Sequence, residues 1–439
     1  MHLLNKYRVV YISAYILIAT HSVIAELRLI FYSYSYYAIP ATYLYQLNQP
    51  NFKDEIMTIA AFKPNWMDAE IEMLHESALK FFKGWEEHDE KWRANGMLDR
   101  TAWLEAGEMG FLCAAIPEEY GGAGGDFRHE AALIYAQTEA NQVGFGGFLH
   151  SGIVAPYILH HGIEEQKQKW LPKMATGELI GAIAMTEPGT GSDLQNIKTY
   201  ATKDGDDYII NGSKTFITNG QLANLIVVVC KTDRDQGAKG VSLIVVETKN
   251  APGFERGQKL KKLGLTSQDT SELFFNNMRV PQANLLGSIE GTGFVQLMQE
   301  LPQERLIIAL MGIGAMKLAL DLTIDYTKQR TAFNKTIWDF QNTRFKLAEC
   351  NSHYIAASAL CDAAIDALLK KELTGQHAAL IKYWVSEKQC IVMDECLQFF
   401  GGYGYMTEYP IARLYADARV QKIYGGTNEI MKELASRSM

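Results

Sequence analysis

No two cysteines in this sequence stand in C-x-x-C spacing. The six present, Cys113, Cys230, Cys350, Cys361, Cys390 and Cys396, mostly sit inside apolar runs. That pattern excludes a disulfide framework and a zinc ribbon, and it reads as buried thiols in a reducing compartment. The paired His160 and His161 lack metal-ligand spacing, so no metal site is expected. Basic residues are also in deficit: 42 Lys and Arg stand against 50 Asp and Glu, a formal net charge of -8. Nucleic acid as a partner is thereby disfavoured, because phosphate binding wants a basic face. Strand–helix alternation is missing too. No glycine-rich loop has the G-x-G-x-x-G pattern between a strand and a helix, which argues against a Rossmann fold and nicotinamide binding. What remains is ordinary for a soluble globular protein, with 48% hydrophobic and 21% charged residues. A chain of 439 residues is long enough for two or three domains with large cores.

Residues 1–56 do not match the rest. Nine of the 22 tyrosines fall there, with only three acids, Glu26, Asp54 and Glu55. The run from Val9 to Ala25 is mostly apolar and follows Lys6 and Arg8, so it resembles a signal peptide or a short membrane anchor. A mitochondrial presequence is a second reading, although the segment is poor in arginine. A third reading, the one favoured here, is translated upstream sequence with Met57 as the true start.

From Met57 the period changes in order. Ile71, Met73, Leu74, Ala78 and Phe81 recur at helical spacing within 67–110. A glycine-rich loop spans Pro117–Asp126, and helical pattern resumes from about His129 to Ala175. At about Gly181 short β-rich runs begin: 208–210, 215–218, 225–230, 241–247 and 272–275. Asp204-Gly205, Asn211-Gly212 and Asn219-Gly220 read as turns between them. Pro281 and Gly287 close that region. From Gly293 the period is helical again, and Leu306–Leu322 is apolar nearly all round, as in the centre of a bundle. The expected organisation is an extension (1–56), an α-helical domain (57–180), a β domain (181–292) and an α-helical domain (293–439).

Five segments carry candidate chemistry. Met185-Thr186-Glu187-Pro188-Gly189-Thr190-Gly191-Ser192-Asp193 packs hydroxyls and backbone N–H groups beside glycines that let a ligand approach. It could equally be a hydrogen-bonded loop entering the β domain. In Phe216-Ile217-Thr218-Asn219-Gly220 an aromatic and a hydroxyl two apart on a strand share a face, to flank a planar ring or simply to pack the core. Arg330-Thr331-Ala332-Phe333-Asn334-Lys335, followed by Gln341, offers an arginine suited to a pyrophosphate or to a surface ion pair. Gln398-Phe399-Phe400-Gly401-Gly402 and Tyr424-Gly425-Gly426-Thr427-Asn428-Glu429 offer backbone donors or plain turns.

Together, and in this order from about residue 65 to the C-terminus, these segments closely resemble the acyl-CoA dehydrogenase family. The resemblance implies an α+β chain: an N-terminal all-α domain, a central β-barrel and a C-terminal four-helix bundle. It implies FAD held between barrel and bundle and shared with a neighbouring subunit of a homotetramer. Carried over by motif, Met185, Thr186 and Ser192 face the flavin and the thioester end of the substrate, with Phe216 beside the ring and Thr218 donating to it. Arg330, Phe333 and Gln341 serve FAD across a subunit boundary. Gln398, Gly401 and Gly402 hold its adenine half, and Thr427 and Glu429 complete the site. Ser192, Gln303, Arg305, Gly425 and Gly426 are expected at the substrate. Acyl-CoA as substrate and an electron-transferring flavoprotein as electron acceptor follow from the same resemblance, as does a cytoplasmic location in a bacterium or the mitochondrial matrix in a eukaryote.

The family's reaction, α,β-dehydrogenation, needs a carboxylate to take the α-proton. Many members place a glutamate directly before the Gly-Thr of the last motif, where this chain has Gly425. The long-chain and isovaleryl subgroups place it instead on the first long helix of the C-terminal domain. There this chain reads Leu301-Pro302-Gln303-Glu304-Arg305-Leu306, so Glu304 is the expected base. An ion pair between Glu304 and Arg305 is disfavoured, since adjacent helical residues face apart. Pro302 is expected to kink the helix or begin a new turn. The runs at 301–306, 264–270 and 424–429 look most like the long-chain subgroup. A branched short-chain (isovaleryl-type) enzyme and a catalytically inactive flavin-binding assembly protein are the competing expectations.

Overall fold

The computed structural model describes residues 62–437 and 439; the extension 1–56 lies outside the described residues. Helix α1 (Ala69–Lys83) starts where Asp68 accepts hydrogen bonds from the N–H groups of Glu70 and Ile71, and its acids and lysines sit at the ends that suit the helix dipole. α2 (Asp89–Asn95) and α3 (Arg100–Glu108) follow. Their aromatic residues, Phe82, Trp85, Trp92 and Trp103, form one apolar cluster that continues through Phe145 into the β region at Ile210, Leu273 and Phe275. α4 (Phe127–Glu139), capped by Asp126, is buried along most of its length.

The helical pattern expected to run on to residue 175 is broken into pieces. A π-helical turn at 150–154 leads into α5 (Ala155–His161), and α6 (Glu164–Ala175) follows after a short link. The cause of the π turn is local. Pro156 has no N–H for the carbonyl of Gly152 four residues earlier. That carbonyl instead accepts from the side-chain amide of Gln303, at 2.8 Å.

Strands β1 (Gly181–Ala184), β2 (Tyr200–Asp204), β3 (Asp207–Thr218), β4 (Leu225–Lys231), β5 (Val241–Glu247), β6 (Phe254–Lys259) and β7 (Thr270–Pro281) make one sheet. Its order is β1-β4-β2-β3-β7-β6, with β5 on β4. β1 and β6 are not paired, so the expected barrel is an open half-barrel. The runs 208–210 and 215–218 are one long strand rather than two. Asp204-Gly205 is the hairpin turn between β2 and β3, but Asn211-Gly212 is not a turn. It lies at a bulge where β3 slips in register against β7. Asn211 fills the gap by accepting the N–H of Asn277 at 2.9 Å.

α7 (Gly293–Gln329) is a single helix that continues through Pro302, so no new turn begins there. By length and composition it could cross a membrane, but 78% of its most apolar stretch is buried inside the protein, as suits a core helix. α8 (Gln341–Leu369) and α9 (Gly375–Phe399) complete three long helices. The remaining helices, α10 (Pro410–Ala418) and α11 (Asn428–Ser436), are short and pack on α9. Five of the six cysteines are buried, Cys390 is half-buried, and all are free thiols.

α4 and α7 touch where Gly314 meets Thr138: a methyl group on Gly314 would lie 1.9 Å from the Thr138 hydroxyl. That hydroxyl is itself committed to the carbonyls of Ile134 and Tyr135. Gly314→Val should therefore cost about 1–3 kcal/mol by overpacking and lower the melting temperature. Gly375→Ala, which meets nothing within 4 Å, should leave it unchanged in the same thermal unfolding experiment.

Candidate active site

On α7, residues four apart share a face. Glu300, Glu304 and Ile308 form one such stripe, and each meets a different partner. Glu300 accepts from Nδ1 of His160 and Nε2 of His161, both at 2.9 Å. Burial works to raise the Glu300 carboxyl, but the two imidazoles outweigh it and hold the group at about 2. Glu304 is 6% exposed and accepts the phenolic O–H of Tyr157 on α5 at 2.7 Å. No cation is paired with it among the described residues, and Arg305 points elsewhere. Burial pushes the Glu304 carboxyl up to about 7, with the nearby charge of Glu300 adding to the rise and Tyr157 and Arg305 opposing it. Ile308 faces Gly425: a methyl group there would lie 2.2 Å from Ile308 Cδ1, and Gly425 has a left-handed backbone, φ +64°. A side chain at 425 would thus collide with Ile308, the residue one turn from Glu304 on the same face of α7.

Gln303, expected at the substrate, has its amide on the Gly152 carbonyl. A methyl group on Gly152 would in turn meet Ile307 at 2.7 Å. Arg305 is buried, with one N–H toward the carbonyl of Gly375 and its Nε without a partner among the described residues. The loop carrying Gly425 and Gly426 is held by Lys382 on α9, which is fully buried. Lys382 Nζ donates to the Gly426 carbonyl at 2.7 Å and to Asn428 Oδ1 at 3.0 Å. Burial pulls the Lys382 ammonium down to about 8. Thr427 caps α11, its hydroxyl accepting from the N–H of Ile430, and Glu429 is exposed on the first turn.

On the β side, the turn at 187–190 closes on itself through paired backbone bonds between Glu187 and Thr190. Lys214, with no exposed surface, donates to the Met185 carbonyl and to Glu187 Oε1, both at 2.9 Å. Glu187 also accepts the backbone N–H groups of Lys198 and Thr199. Burial pushes its carboxyl up, but Lys214 and those donors prevail and hold it below the ordinary value. The Thr215 N–H donates to the Thr186 carbonyl, tying the loop to β3. The next residue, Phe216, has φ +60° and is 67% exposed, at a bulge where β3 slips against β7. An exposed phenylalanine in the left-handed region is strained, and such residues concentrate at ligand sites. Thr218 faces the same side, away from buried Ile217, while Ser192, Gly189 and Gly191 are exposed with open space at both glycines.

A third group lies at the far end of α7. Tyr326 stacks on Phe400 with ring centroids 4.2 Å apart, and the guanidinium of Arg330 lies 6.0 Å from the Tyr403 ring. These contacts bring Arg330 beside the Gln398–Gly402 turn. No carboxylate is bonded to Arg330 among the described residues, and both Gly401 and Gly402 face open space. Phe333 is 89% exposed, and Gln341 opens α8 at the surface. No hydrogen bond or ring contact joins this group to the one around Phe216 within the described chain.

Tyr157, Lys214 and Lys382 escape a reading of the sequence. Each lies in an element that carries other polar residues, and only the packed structure shows which of them is buried and what it bonds. No group of three or more histidine, cysteine or acidic residues that could hold a metal ion occurs among the described residues.

Family models match this chain along nearly all of the described length. They are the acyl-CoA dehydrogenase N-terminal domain over 68–178, middle domain over 182–278 and C-terminal domain over 291–439. The mitochondrial long-chain specific acyl-CoA dehydrogenase of Sus scrofa is 48% identical over 376 residues, covering 84% of this chain and 86% of that protein. The crystal structure of an acyl-CoA dehydrogenase from Geobacillus kaustophilus matches with TM-score 0.84 and 46% identity, covering 86% of this chain and 99% of the other. A structure titled as an electron transferring flavoprotein of Acidaminococcus fermentans matches with TM-score 0.81 and 34% identity, over 84% and 98%. The carboxyl on α7, the braced loop before β2 and the open glycine turns are thus carried on a shared architecture. The chain belongs to the acyl-CoA dehydrogenase family, an FAD-dependent family of oxidoreductases acting in fatty acid oxidation.

Proposed function

We propose that this enzyme catalyses α,β-dehydrogenation of long-chain acyl-CoA to the trans-2-enoyl-CoA, with Glu304 as the base. The observation that carries the reading is a buried carboxyl with one oxygen bonded to Tyr157 and no cation partner among the described residues, one turn from the Ile308 that packs on Gly425. Such a group has a proton affinity raised toward neutral pH, which suits a general base. Oε1 is engaged by Tyr157, so Oε2 is the oxygen that takes the α-proton. In this reading the N–H of Gly425, on the loop held by Lys382, polarises the thioester carbonyl, where negative charge develops.

The residues present fit FAD. Phe216 stands exposed beside a braced hydroxyl- and glycine-rich turn, Arg330 has no competing carboxylate, and Gly401 and Gly402 leave backbone open for phosphate or adenine. Met185, Thr186, Ser192, Phe216 and Thr218 would hold the ring; Arg330, Phe333, Gln341, Gln398, Thr427 and Glu429 would hold the remainder. When bound, FAD supplies the acceptor for the β-hydride. Two separated groups of cofactor residues in one chain suit a site completed by a neighbouring subunit, and we take the enzyme to be a homotetramer of chains divided at 57–180, 181–292 and 293–439. Long-chain preference is supported by the 48% identity to the pig enzyme, whose name also supports the mitochondrial matrix as the location in a eukaryote. The likeness to the Acidaminococcus flavoprotein structure supports an electron-transferring flavoprotein as the electron acceptor.

Anaerobic titration with acyl-CoAs of increasing length tests substrate class directly: flavin bleaching should be fastest with long straight chains, and a maximum at a branched five-carbon chain would favour the isovaleryl-type reading. Glu304→Gln should still bind substrate but slow flavin reduction by at least about 10²–10⁴. The parent rate should rise with pH through about 7, because only the ionised carboxylate accepts a proton. The stability contribution has the opposite sense. Between the ordinary carboxylate value and about 7 the folded chain keeps a proton that the unfolded chain releases, so stability falls as pH rises through that window. In Glu304→Gln that slope should disappear from denaturant titrations. Arg330→Ala should lose FAD on dialysis, read as the ratio of flavin to protein absorbance.

Moving the base tests the same geometry. Glu304→Ala with Gly425→Glu should restore little activity, since a side chain at 425 strains a left-handed residue and collides with Ile308. Adding Ile308→Ala should raise it, measured as the rate of flavin reduction.

A further inference from the structure

The two helices that carry the candidate site are tied at adjacent positions. On α7 the tied residues are Gln303 and Glu304. Opposite them are the Gly152 carbonyl, freed by Pro156, and the phenol of Tyr157, the residue after that proline. The π turn inserts one residue ahead of α5 and rotates everything after it about the helix axis, which is how such turns re-aim side chains at functional sites. Tyr157 is fully buried in the protein and donates its only proton to Glu304 Oε1.

We infer that Tyr157 is a positioning residue for the base: its O–H fixes the Glu304 carboxyl in one rotamer with Oε2 toward the substrate and favours the ionised form by hydrogen bonding to it. This rests on the reading of Glu304 as base. The charged and titratable groups facing Glu304 are few. From α5 there is Tyr157, and from its own helix Glu300 and Arg305. On the α9 side Lys382 is spent on Gly426 and Asn428 and does not bond Glu304. Tyr157 is therefore the one neutral donor on a carboxylate that otherwise feels an anion on one side and a poorly placed cation on the other. A hydrogen bond to the charged form lowers a carboxyl's proton affinity, so losing it raises that affinity. The phenol itself keeps its proton throughout: the α C–H bond breaks, and the proton goes to Oε2.

Tyr157→Phe removes one oxygen and preserves the ring. In the holoenzyme, the ascending limb of the pH profile for flavin reduction by acyl-CoA should move to higher pH by about one unit. At pH 7 that is a loss of about fivefold, growing toward about tenfold at more acid pH and shrinking toward the alkaline plateau. In a Glu304→Gln background the same change should add nothing further, because Tyr157 acts only through the carboxylate. A pH-independent loss with the limb unmoved, or the same loss in both backgrounds, would reduce Tyr157 to packing and overturn the inference. Should the Phe variant fail to retain flavin, infrared difference spectra of the parent and Glu304→Gln at acidic pH decide the matter. The Glu304 acid carbonyl should absorb at the lowered frequency of a hydrogen-bonded acid, and a free-acid band refutes the bond. Failure of the base reading looks different: Glu304→Gln alone would then reduce flavin at the parent rate, whatever Tyr157 does.

Discussion

Keeping one carboxyl group in a nearly dry interior without a cation beside it is the constraint around which this site is built. Desolvation disfavours a lone carboxylate by several kcal/mol, so such a group survives only where its remaining polar needs are met and its neighbours leave room for it. Here a phenol meets one oxygen, and the other has no hydrogen-bond partner among the described residues. Ile308, one turn along the same helix, closes the space that a side chain at 425 would need. Glu300, one turn the other way, is kept ionised by two histidines, so the stripe holds a carboxyl near 2 and a carboxyl near 7 only four residues apart. Burial pushes both carboxyls up; two imidazoles overcome it at Glu300, and a neutral phenol does not at Glu304.

Buried lysines hold the two loops that flank this carboxyl and the β-side site. Lys214 draws the 185–190 turn onto β3, and Lys382 draws the 424–428 loop onto α9. In both, an ammonium donates to a backbone carbonyl and to a side-chain oxygen, so irregular backbone is fixed without regular secondary structure. Loops that must present backbone N–H groups to a ligand cannot use those same groups in a ladder, so their rigidity has to come from their carbonyls and side chains. The strained φ of Phe216 follows the same logic: β3 gives up register at a bulge and thereby aims a ring away from the core.

Much of this was legible before any coordinates. The all-α, all-β, all-α order, the apolar run in α7 and the glycine-rich segments could each be read from residue type and spacing, because helical and strand periods are local properties. Other features were misread for an equally physical reason. Asn211-Gly212 has turn chemistry, yet it bulges, because its asparagine bonds across the sheet to Asn277 rather than along the chain. Pro302 was expected to kink α7 or to begin a new turn; α7 runs on through it, so no new turn begins there. Gln303, expected at the substrate, gives its amide N–H to the carbonyl of Gly152, a contact no local pattern foretold.

By itself the sequence determined the domain order, the family and the identity of the acid that α7 carries, because these depend on periodicity and on motifs read over a few residues. Only the tertiary structure decided what that acid is. Tyr157 lies 147 residues from Glu304 in the chain, and no local pattern links them. Burial, the facing phenol and the close packing of Ile308 on Gly425 are properties of packed surfaces from three separate segments. The proton affinity of a carboxyl group is set by such surroundings, so it came into being only when the helices closed around it.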